Sequence, residues 1–569
     1  MKPPKQQGRG VFVPRVVSIG TQDFEKLIVH DCFYIDKTLF IKEWWESRDE
    51  VTLITRPRRF GKTLNMNMLE RFFSVKYENQ GEIFENLAIW REERYRSLQG
   101  TYPVIFLSFA GVKENNYEMA VYRMCEILQG IYIKNYYLLD SDVLTEGEKR
   151  MYKRMAEGVD AKEAPTALQK ISDYLCRFYG EKVIILLDEY DTPMQEAYVN
   201  GFWEEIVSFT RNLFNNTFKT NPYLERAMMT GITRVSKESM FSDLNNLNVV
   251  TTTSNEYVSC FGFTEEEVFD AMDEFGIDNK EEVKEWYDGF TIGGIQDLYN
   301  PWSIINFLDK GKLKPYWANT SSNGLAGSIL RRGSEDIKTQ FEELLHGKTI
   351  RCWIDEEIVY NQLEKNENAV WSLLLTSGYL KIVKVCGKTY ELTLTNYETR
   401  QMFEGMVHDW FGEDFTSYNR FIKSLLQGDL KAMNAYMNRV SKSMFSSFDV
   451  GNKPSEETNP ERFYHGFVLG LLVDLQDRYV ITSNRESGFG RYDVLMEPQK
   501  ETDDGIILEF KIHDPEDESD LQETVQEALK QIEEKQYRQV LLDHGIKPGH
   551  IRSYGFAFQG KRVLIGTDQ

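Results

Sequence analysis

Short, mostly apolar runs recur through the first half of the chain, separated by stretches with helical spacing. Val51–Thr55, Val104–Phe109, Val183–Leu187 and Arg226–Thr230 are the candidate strands between about residues 20 and 260. Runs of this kind, without polar alternation, predict a parallel sheet with helices on both faces. From Thr264 the texture changes to acidic helical segments, Glu265–Glu274 and Glu281–Trp286, and then to an aromatic turn region around Trp286–Phe290 and Tyr299–Trp302. Residues 371 to 397 alternate: Tyr379–Val385, a Gly387-Lys388 turn, then Thr389–Leu394, the pattern of a β-hairpin. The polar run Gly451–Pro460 predicts an exposed loop, and the last 110 or so residues read helix, strand, strand, helix, strand. At 569 residues the chain should divide into several domains. The expected division is an α/β domain over 1–263, a small helical or winged module over 264–400, and a second α/β domain over 401–569.

Gly-Lys-Thr occurs three times, at Gly61, Gly347 and Gly387, and context separates the copies. Gly387 falls in the hairpin turn. Gly347 follows the helical Phe341-Glu-Glu-Leu-Leu and precedes the extended Ile350-Arg-Cys-Trp, so it should end a helix. Gly61 alone lies between a buried-type strand and a helix, Leu64–Phe73, in Arg56-Pro-Arg-Arg-Phe-Gly-Lys-Thr63. A helix N-terminus presents unpaired N–H groups and the positive end of its dipole, which suits phosphate oxygens. Arg59, Phe60, Gly61, Lys62, Thr63 and Leu64 are therefore the expected nucleotide-binding loop. Lys62 should reach the β and γ phosphates of ATP, and Thr63 should bind Mg²⁺. One departure is that Arg56, followed by Pro57, stands where the usual pattern has its first glycine, so the turn must be built differently.

Val183-Ile-Ile-Leu-Leu-Asp-Glu places Asp188 and Glu189 at the C-terminal end of a strand, the ligand-binding edge of a parallel sheet. Asp188 is expected to hold Mg²⁺ through water and Glu189 to polarise the attacking water; the alternative is that the pair caps the next helix. Thr230 is a candidate sensor of the γ-phosphate and Arg234 a candidate source of transition-state charge, with ordinary loop residues as the alternative.

Near the C-terminus, Glu509 and Lys511 lie on the apolar run Ile506–Ile512, where a period of two puts both on one face. Two other Glu-x-Lys strings, at Glu282 and Glu533, lie in helix-like sequence, where residues two apart diverge. Charges on an apolar strand are costly to bury unless something uses them. Asp493, on the preceding arm of a hairpin turning at Gln499–Asp504, could share Mg²⁺ with Glu509, while Lys511 orients the attacking water. Asp493, Glu509 and Lys511 are thus the expected core of a metal-dependent phosphodiesterase.

Tyr34-Ile-Asp-Lys-Thr38, the Arg56–Thr63 loop, Leu187-Asp-Glu-Tyr-Asp191, Thr230-Gly-Ile-Thr-Arg234, Trp286-Tyr-Asp-Gly-Phe290 and Tyr299-Asn-Pro-Trp-Ser303 together resemble the AAA-ATPase-like family of bacterial proteins. Its members commonly carry a C-terminal domain of the PD-(D/E)XK nuclease superfamily. The resemblance implies a P-loop ATPase followed by a restriction-endonuclease-like α/β domain. It adds Glu461, at the start of an expected helix Glu461–Leu472, and Glu486 as further candidate ligands, with Gln531 and Tyr537 as supporting residues.

A net charge of −22 argues against indiscriminate nucleic-acid binding but leaves room for a local basic channel; Arg56, Arg58, Arg59, Lys62, Arg71 and Lys76 make the loop region basic. The acidic stretch from Asp514 to Asp520 is expected to be a solvated loop. No segment approaches the ~20 apolar residues of a membrane span, and the basic N-terminus lacks an apolar segment behind it. Six scattered cysteines without a Cys-x-x-Cys pair fit free thiols and a cytoplasmic location. The seven histidines show no metal-ligand spacing, and the aromatics at 286 to 317 fit a core better than a base-stacking platform. The expected whole is an ATP- and Mg²⁺-using protein whose nucleotide state governs a nuclease acting on DNA rather than RNA, with self-association into a homo-oligomer compatible and no membrane partner. The alternative is an ATP-dependent switch or scaffold with a nucleic-acid-binding domain that does not cut.

Overall fold

The computed structural model describes residues 15–234 and 244–318, most of 324–445 and of 478–568, and isolated positions between them. The chain forms two compact units. One combines residues up to Ile329 with Gly347–Gln401; the other combines Leu330–His346 with Met402 onward.

In the first unit, β1 (Val51–Thr55), β2 (Val104–Ser108), β3 (Val183–Asp188), β4 (Leu224–Gly231) and β5 (Leu247–Val250) form one sheet in the order β2-β3-β4-β1-β5. Every neighbouring pair is parallel. β1 and β3 are buried along their whole length, which explains their unbroken apolar sequence. Helices such as Tyr117–Lys134, Ala164–Tyr179 and Trp203–Phe214 supply the crossovers and close the main core around Ile105, Leu128, Ile185 and Phe214. Because β4 lies between β1 and β3, the end of β4 stands between the Lys62 loop and Asp188. β5 is the strand that periodicity does not reveal: it is four residues long, interrupted by Asn248 and only partly buried.

After β5 the chain enters β6 (Phe263–Thr264) and the helix Glu265–Glu274, which opens with a reciprocal Thr264/Glu267 capping box. The helix Lys280–Tyr287, the strands β7 (Phe290–Ile292) and β8 (Ile295–Tyr299), and the helix Pro301–Lys310 follow. Phe33, Val17 and Ile35, from before β1, pack into their core. The expected hairpin forms as Leu380–Cys386 against Thr389–Leu394, with Gly387 at φ 66° in its turn, and Ile350–Trp353 adds a third strand. These segments belong to the same compact unit as the parallel sheet.

The second unit carries a mixed five-stranded sheet in the order Tyr479–Ser483, Val494–Pro498, Gly505–Ile512, Ile551–Gln559, Arg562–Thr567. Gly505–Ile512 and Ile551–Gln559 are parallel, joined through the helices Leu521–Glu534 and Tyr537–Asp543; the other pairs are antiparallel. Successive residues of Gly505–Ile512 serve opposite faces. Ile506, Leu508 and Phe510 face a core shared with Phe421 and Met437, whereas Ile507 faces Val525 and Leu529 of the helix Leu521–Glu534. The helix Leu430–Phe445 covers the outer edge of Arg562–Thr567. There the side-chain amide of Asn434 bonds both backbone groups of Ile565 (2.9 and 2.8 Å), and that of Asn438 both groups of Val563 (2.6 and 3.0 Å).

Compared with the sequence expectation for this unit, Tyr479–Ser483, Arg562–Thr567 and the helix Tyr537–Asp543 are additional elements. The expected loop Gly451–Pro460 lies outside the described residues. Asp520, at the end of the acidic stretch, caps the helix Leu521–Glu534 by accepting from the N–H groups of Gln522 and Glu523. Among the described residues no helix is long and apolar enough to cross a membrane.

Candidate nucleotide site and candidate metal centre

β1 runs into the loop at Arg56, and helix α3 of the first unit (Lys62–Phe73, after α1 Phe24–Val29 and α2 Leu39–Ser47) begins directly beyond it. Gly61 is the N-cap of α3 at φ 85°, and no side chain caps the helix. The first N–H groups of a helix have no partner within it, so this end is open to an anionic ligand. Lys62 is 3% exposed. Its ammonium donates to the carbonyls of Arg56 (3.1 Å) and Pro57 (3.0 Å) and lies 3.7 Å from the Glu189 carboxylate.

Arg56 resolves the missing glycine. Its backbone stays outside the left-handed region, which Arg59 (φ 64°) and Gly61 occupy instead. Its fully buried guanidinium points away from the loop, donating to the carbonyls of Thr55, Thr251 and Glu256 at 2.9, 2.8 and 3.1 Å. Burial lowers its pKa to about 10. The turn is therefore stapled to the chain beyond β5 by the side chain of the residue that replaced the glycine. Arg59 is exposed and sits over the ring of Trp302, 4.5 Å from its centroid, while Phe60 is buried against Phe290. Leu64 is half-buried on the first turn of α3. Asn300, at the foot of the helix Pro301–Lys310, donates to the Arg58 carbonyl at 3.1 Å.

Asp188 gathers the expected residues. It is 1% exposed and accepts one hydroxyl on each oxygen, from Thr63 at 2.8 Å and from Thr230 at 2.6 Å. Burial, then the neighbouring Glu189 charge, push its pKa up; the Thr230 and Thr63 hydroxyls and the Lys62 charge oppose the rise. Neither Asp188 nor Glu189 caps the next helix, whose N-cap is Asp191. Glu189 takes a left-handed backbone (φ 51°), an uncommon conformation for a non-glycine residue that is concentrated at functional sites. Arg234 lies just beyond, half-buried, at the margin of the described residues.

Two neighbours escaped the sequence reading. The fully buried Asp191 accepts from the backbone N–H groups of Ile232 (3.0 Å) and Thr233 (2.9 Å), and so fixes the turn after Thr230. Gln195 bonds Asp191 at 3.0 Å and accepts from Arg58 at 3.2 Å. The signal for Asp191 was present, three residues after Asp188 in the same string; Gln195 carries none. Gly231 is required at this point, because a Cβ there would lie 2.6 Å from the Tyr190 ring and 2.7 Å from Asp191.

The other two Gly-Lys-Thr copies lack this setting. Gly347 (φ 76°) follows the end of the helix Glu335–Leu345, and Gly387 occupies the hairpin turn. Lys348→Ala and Lys388→Ala should leave ATP turnover within about twofold of wild type, since neither lysine faces a helix N-terminus; steady-state hydrolysis assays check this.

In the second unit, Asp493 lies one residue before the strand Val494–Pro498 and is drawn beside Glu509 by the pairing of Val494 with Leu508. The Asp493 carboxylate accepts from the Phe510 N–H at 2.8 Å, and its own N–H donates to Glu509 at 3.4 Å. Glu509 is 2% exposed, and its other oxygen accepts from the Gln531 amide. Tyr537 adjoins them: burial, then the charges of Glu509 and Asp493, push its pKa up to about 12. Lys511, two residues along the strand, is half-buried. Two carboxylates are hard oxygen donors that suit Mg²⁺, so the residue types fit this ion. Among the described residues no three His, Cys, Asp or Glu side chains converge as a complete ligand set. Glu461 and the side chain of Glu486 lie outside the described residues.

Residues 18–241 match a family model described as Predicted AAA-ATPase, and residues 459–568 match the PD-(D/E)XK nuclease superfamily. A protein of Azotobacter chroococcum mcd 1, described as an uncharacterized protein in the vnfD 5'region, is 29% identical over 394 residues, covering 67% of this chain and 68% of its own length. The five-stranded parallel sheet with its Lys62 loop and the C-terminal mixed sheet with its Asp493–Glu509 pair are thus an AAA-ATPase-like domain and a PD-(D/E)XK nuclease superfamily domain in one chain.

Proposed function

We propose that this chain binds and hydrolyses ATP at the Lys62 loop, and that its nucleotide state controls a Mg²⁺-dependent nuclease centre that cuts DNA in preference to RNA. The observation carrying the ATPase half is the convergence of Thr63 and Thr230 on the buried Asp188 beneath an uncapped helix N-terminus. In this reading Lys62 exchanges its loop carbonyls for the β and γ phosphate oxygens, and Thr63 and Asp188 hold Mg²⁺. Arg59, Phe60, Gly61 and Leu64 shape the loop around the phosphates, and Glu189 accepts the proton of the attacking water. Thr230 reports on the γ-phosphate through Asp188, and Arg234 faces the same edge. At the second centre Asp493 and Glu509 hold Mg²⁺, which when bound supplies Lewis-acid charge to a phosphodiester, while Lys511 steadies the attacking water. Six free cysteines support placing the protein in the cytoplasm.

One observation favours a second reading, a switch whose C-terminal domain binds without cutting: both oxygens of Glu509 already accept hydrogen bonds from the protein. The deciding experiment incubates single- and double-stranded DNA and RNA with Mg²⁺ or Mn²⁺ in the presence of ATP, ADP or no nucleotide. The proposal expects cleavage that changes at least severalfold with nucleotide state. Binding of nucleic acid with no cleavage under any condition would establish the switch reading.

A further inference from the structure

The three arginines of the loop point three ways. Arg56 is turned inward to the chain beyond β5, and Arg59 outward onto Trp302. Arg58 turns towards the side of the loop where hydrolysis would occur. Its guanidinium donates to Gln195, which bonds Asp191, and Asp191 holds the Ile232–Thr233 turn directly after Thr230. Arg58, Gln195, Ile232 and Thr233 line one wall of a cavity whose other wall includes Trp317 and Tyr379, so the guanidinium borders open space on this side.

Lys62 cannot supply all the positive charge that phosphoryl transfer needs. It lies low in the loop, bonded to Arg56 and Pro57 carbonyls, and the Glu189 carboxylate lies 3.7 Å away. The three acidic groups at this edge, Asp188, Glu189 and Asp191, outnumber it. A second cation is required where charge develops on the transferred group, and an arginine presents the fork that matches phosphate oxygens. The bond from Arg58 to Gln195 is long for a charged donor and joins it to a neutral amide, a partner that phosphate oxygens would displace.

We infer that Arg58 is a catalytic residue of the ATPase, supplied in cis from within the phosphate loop, and that Gln195 is the positioning residue that parks its guanidinium beside Glu189 and the Thr230 turn. The reaction it assists is the transfer of the γ-phosphoryl group to water. A bond forms between the water oxygen and the γ-phosphorus, and the bond from that phosphorus to the β,γ-bridging oxygen breaks. The electron pair leaves with ADP, and the water proton passes to Glu189. Arg58 neutralises the charge that accumulates on the phosphoryl oxygens during this exchange.

This inference rests on the proposed ATPase activity, and the test separates the two. ATP turnover and ATP binding by calorimetry are measured for wild type, Lys62→Ala, Arg58→Ala and Arg58→Lys, with and without millimolar guanidinium. Expected for Arg58→Ala is a kcat reduced at least about a hundredfold, with ATP affinity changed less than about fivefold. Added guanidinium should restore a measurable part of that loss in Arg58→Ala and nothing in Lys62→Ala, a recovery that a merely structural role would not produce. A kcat within about threefold of wild type, or a large loss with no recovery by guanidinium, overturns the role of Arg58 while leaving ATP hydrolysis standing. A wild type that neither binds nor turns over ATP overturns the parent activity, and Arg58 with it.

Discussion

Lys62→Ala should abolish ATP binding, weakening it at least about a hundredfold, or ~2.7 kcal/mol. The ammonium is buried between two loop carbonyls and a carboxylate, so in the free protein it is already fixed where phosphate oxygens would arrive. Its removal takes away the charge and leaves Glu189 without its 3.7 Å partner, so an incoming polyphosphate would meet net repulsion. Glu189→Gln should behave differently: ATP still binds, while hydrolysis slows by roughly two orders of magnitude because the proton acceptor is lost. Calorimetry reads the first effect and single-turnover kinetics the second. Equal ATP affinity in wild type and Lys62→Ala would remove nucleotide from this loop altogether.

The second large effect is expected in the other unit. Asp493→Ala and Glu509→Ala should each eliminate metal-dependent cleavage while ATP hydrolysis stays close to wild type, because the affected carboxylates belong to a separate compact unit. Glu509 is nearly fully buried and accepts from Gln531, so its truncation should also cost about 1–3 kcal/mol of stability through an unsatisfied amide. Glu509→Gln keeps the volume, and loss of cutting with an unchanged melting temperature would isolate the chemical role. Lys511→Ala should abolish cleavage yet leave Mg²⁺ or Mn²⁺ binding measurable by titration, since the cation acts on the phosphate rather than on the metal. Cleavage that survives Glu509→Ala would mean that another set of residues cuts.

The legible parts of this chain were those whose environment is uniform. β1 and β3 are buried on both faces, so composition alone marks them, and Gly505–Ile512 gives itself away by carrying a glutamate and a lysine in an otherwise apolar run. β5, Tyr479–Ser483 and Arg562–Thr567 are edge strands, and an edge strand's polar positions read like loop sequence. The Arg58–Gln195 contact spans 137 residues and joins two side chains of types that are ordinarily solvated, so no local pattern foretells it. Arg56 is the sharpest case. Its sequence shows only that a glycine is missing, whereas its solution, a guanidinium gripping carbonyls near residues 251 and 256, depends on where β5 brings the chain.

The two asparagines of the helix Leu430–Phe445 set a limit on how the C-terminal sheet can grow. An outer strand ordinarily offers a row of free N–H and C=O groups, a template on which an extended segment from any other chain can crystallise. At Val563 and Ile565 those groups are spent on Asn438 and Asn434, whose primary amides imitate a neighbouring strand and then stop, because they are side chains of a helix. Fibre-like extension from this margin is thereby foreclosed, and strand addition to this sheet is confined to the opposite margin, along Tyr479–Ser483.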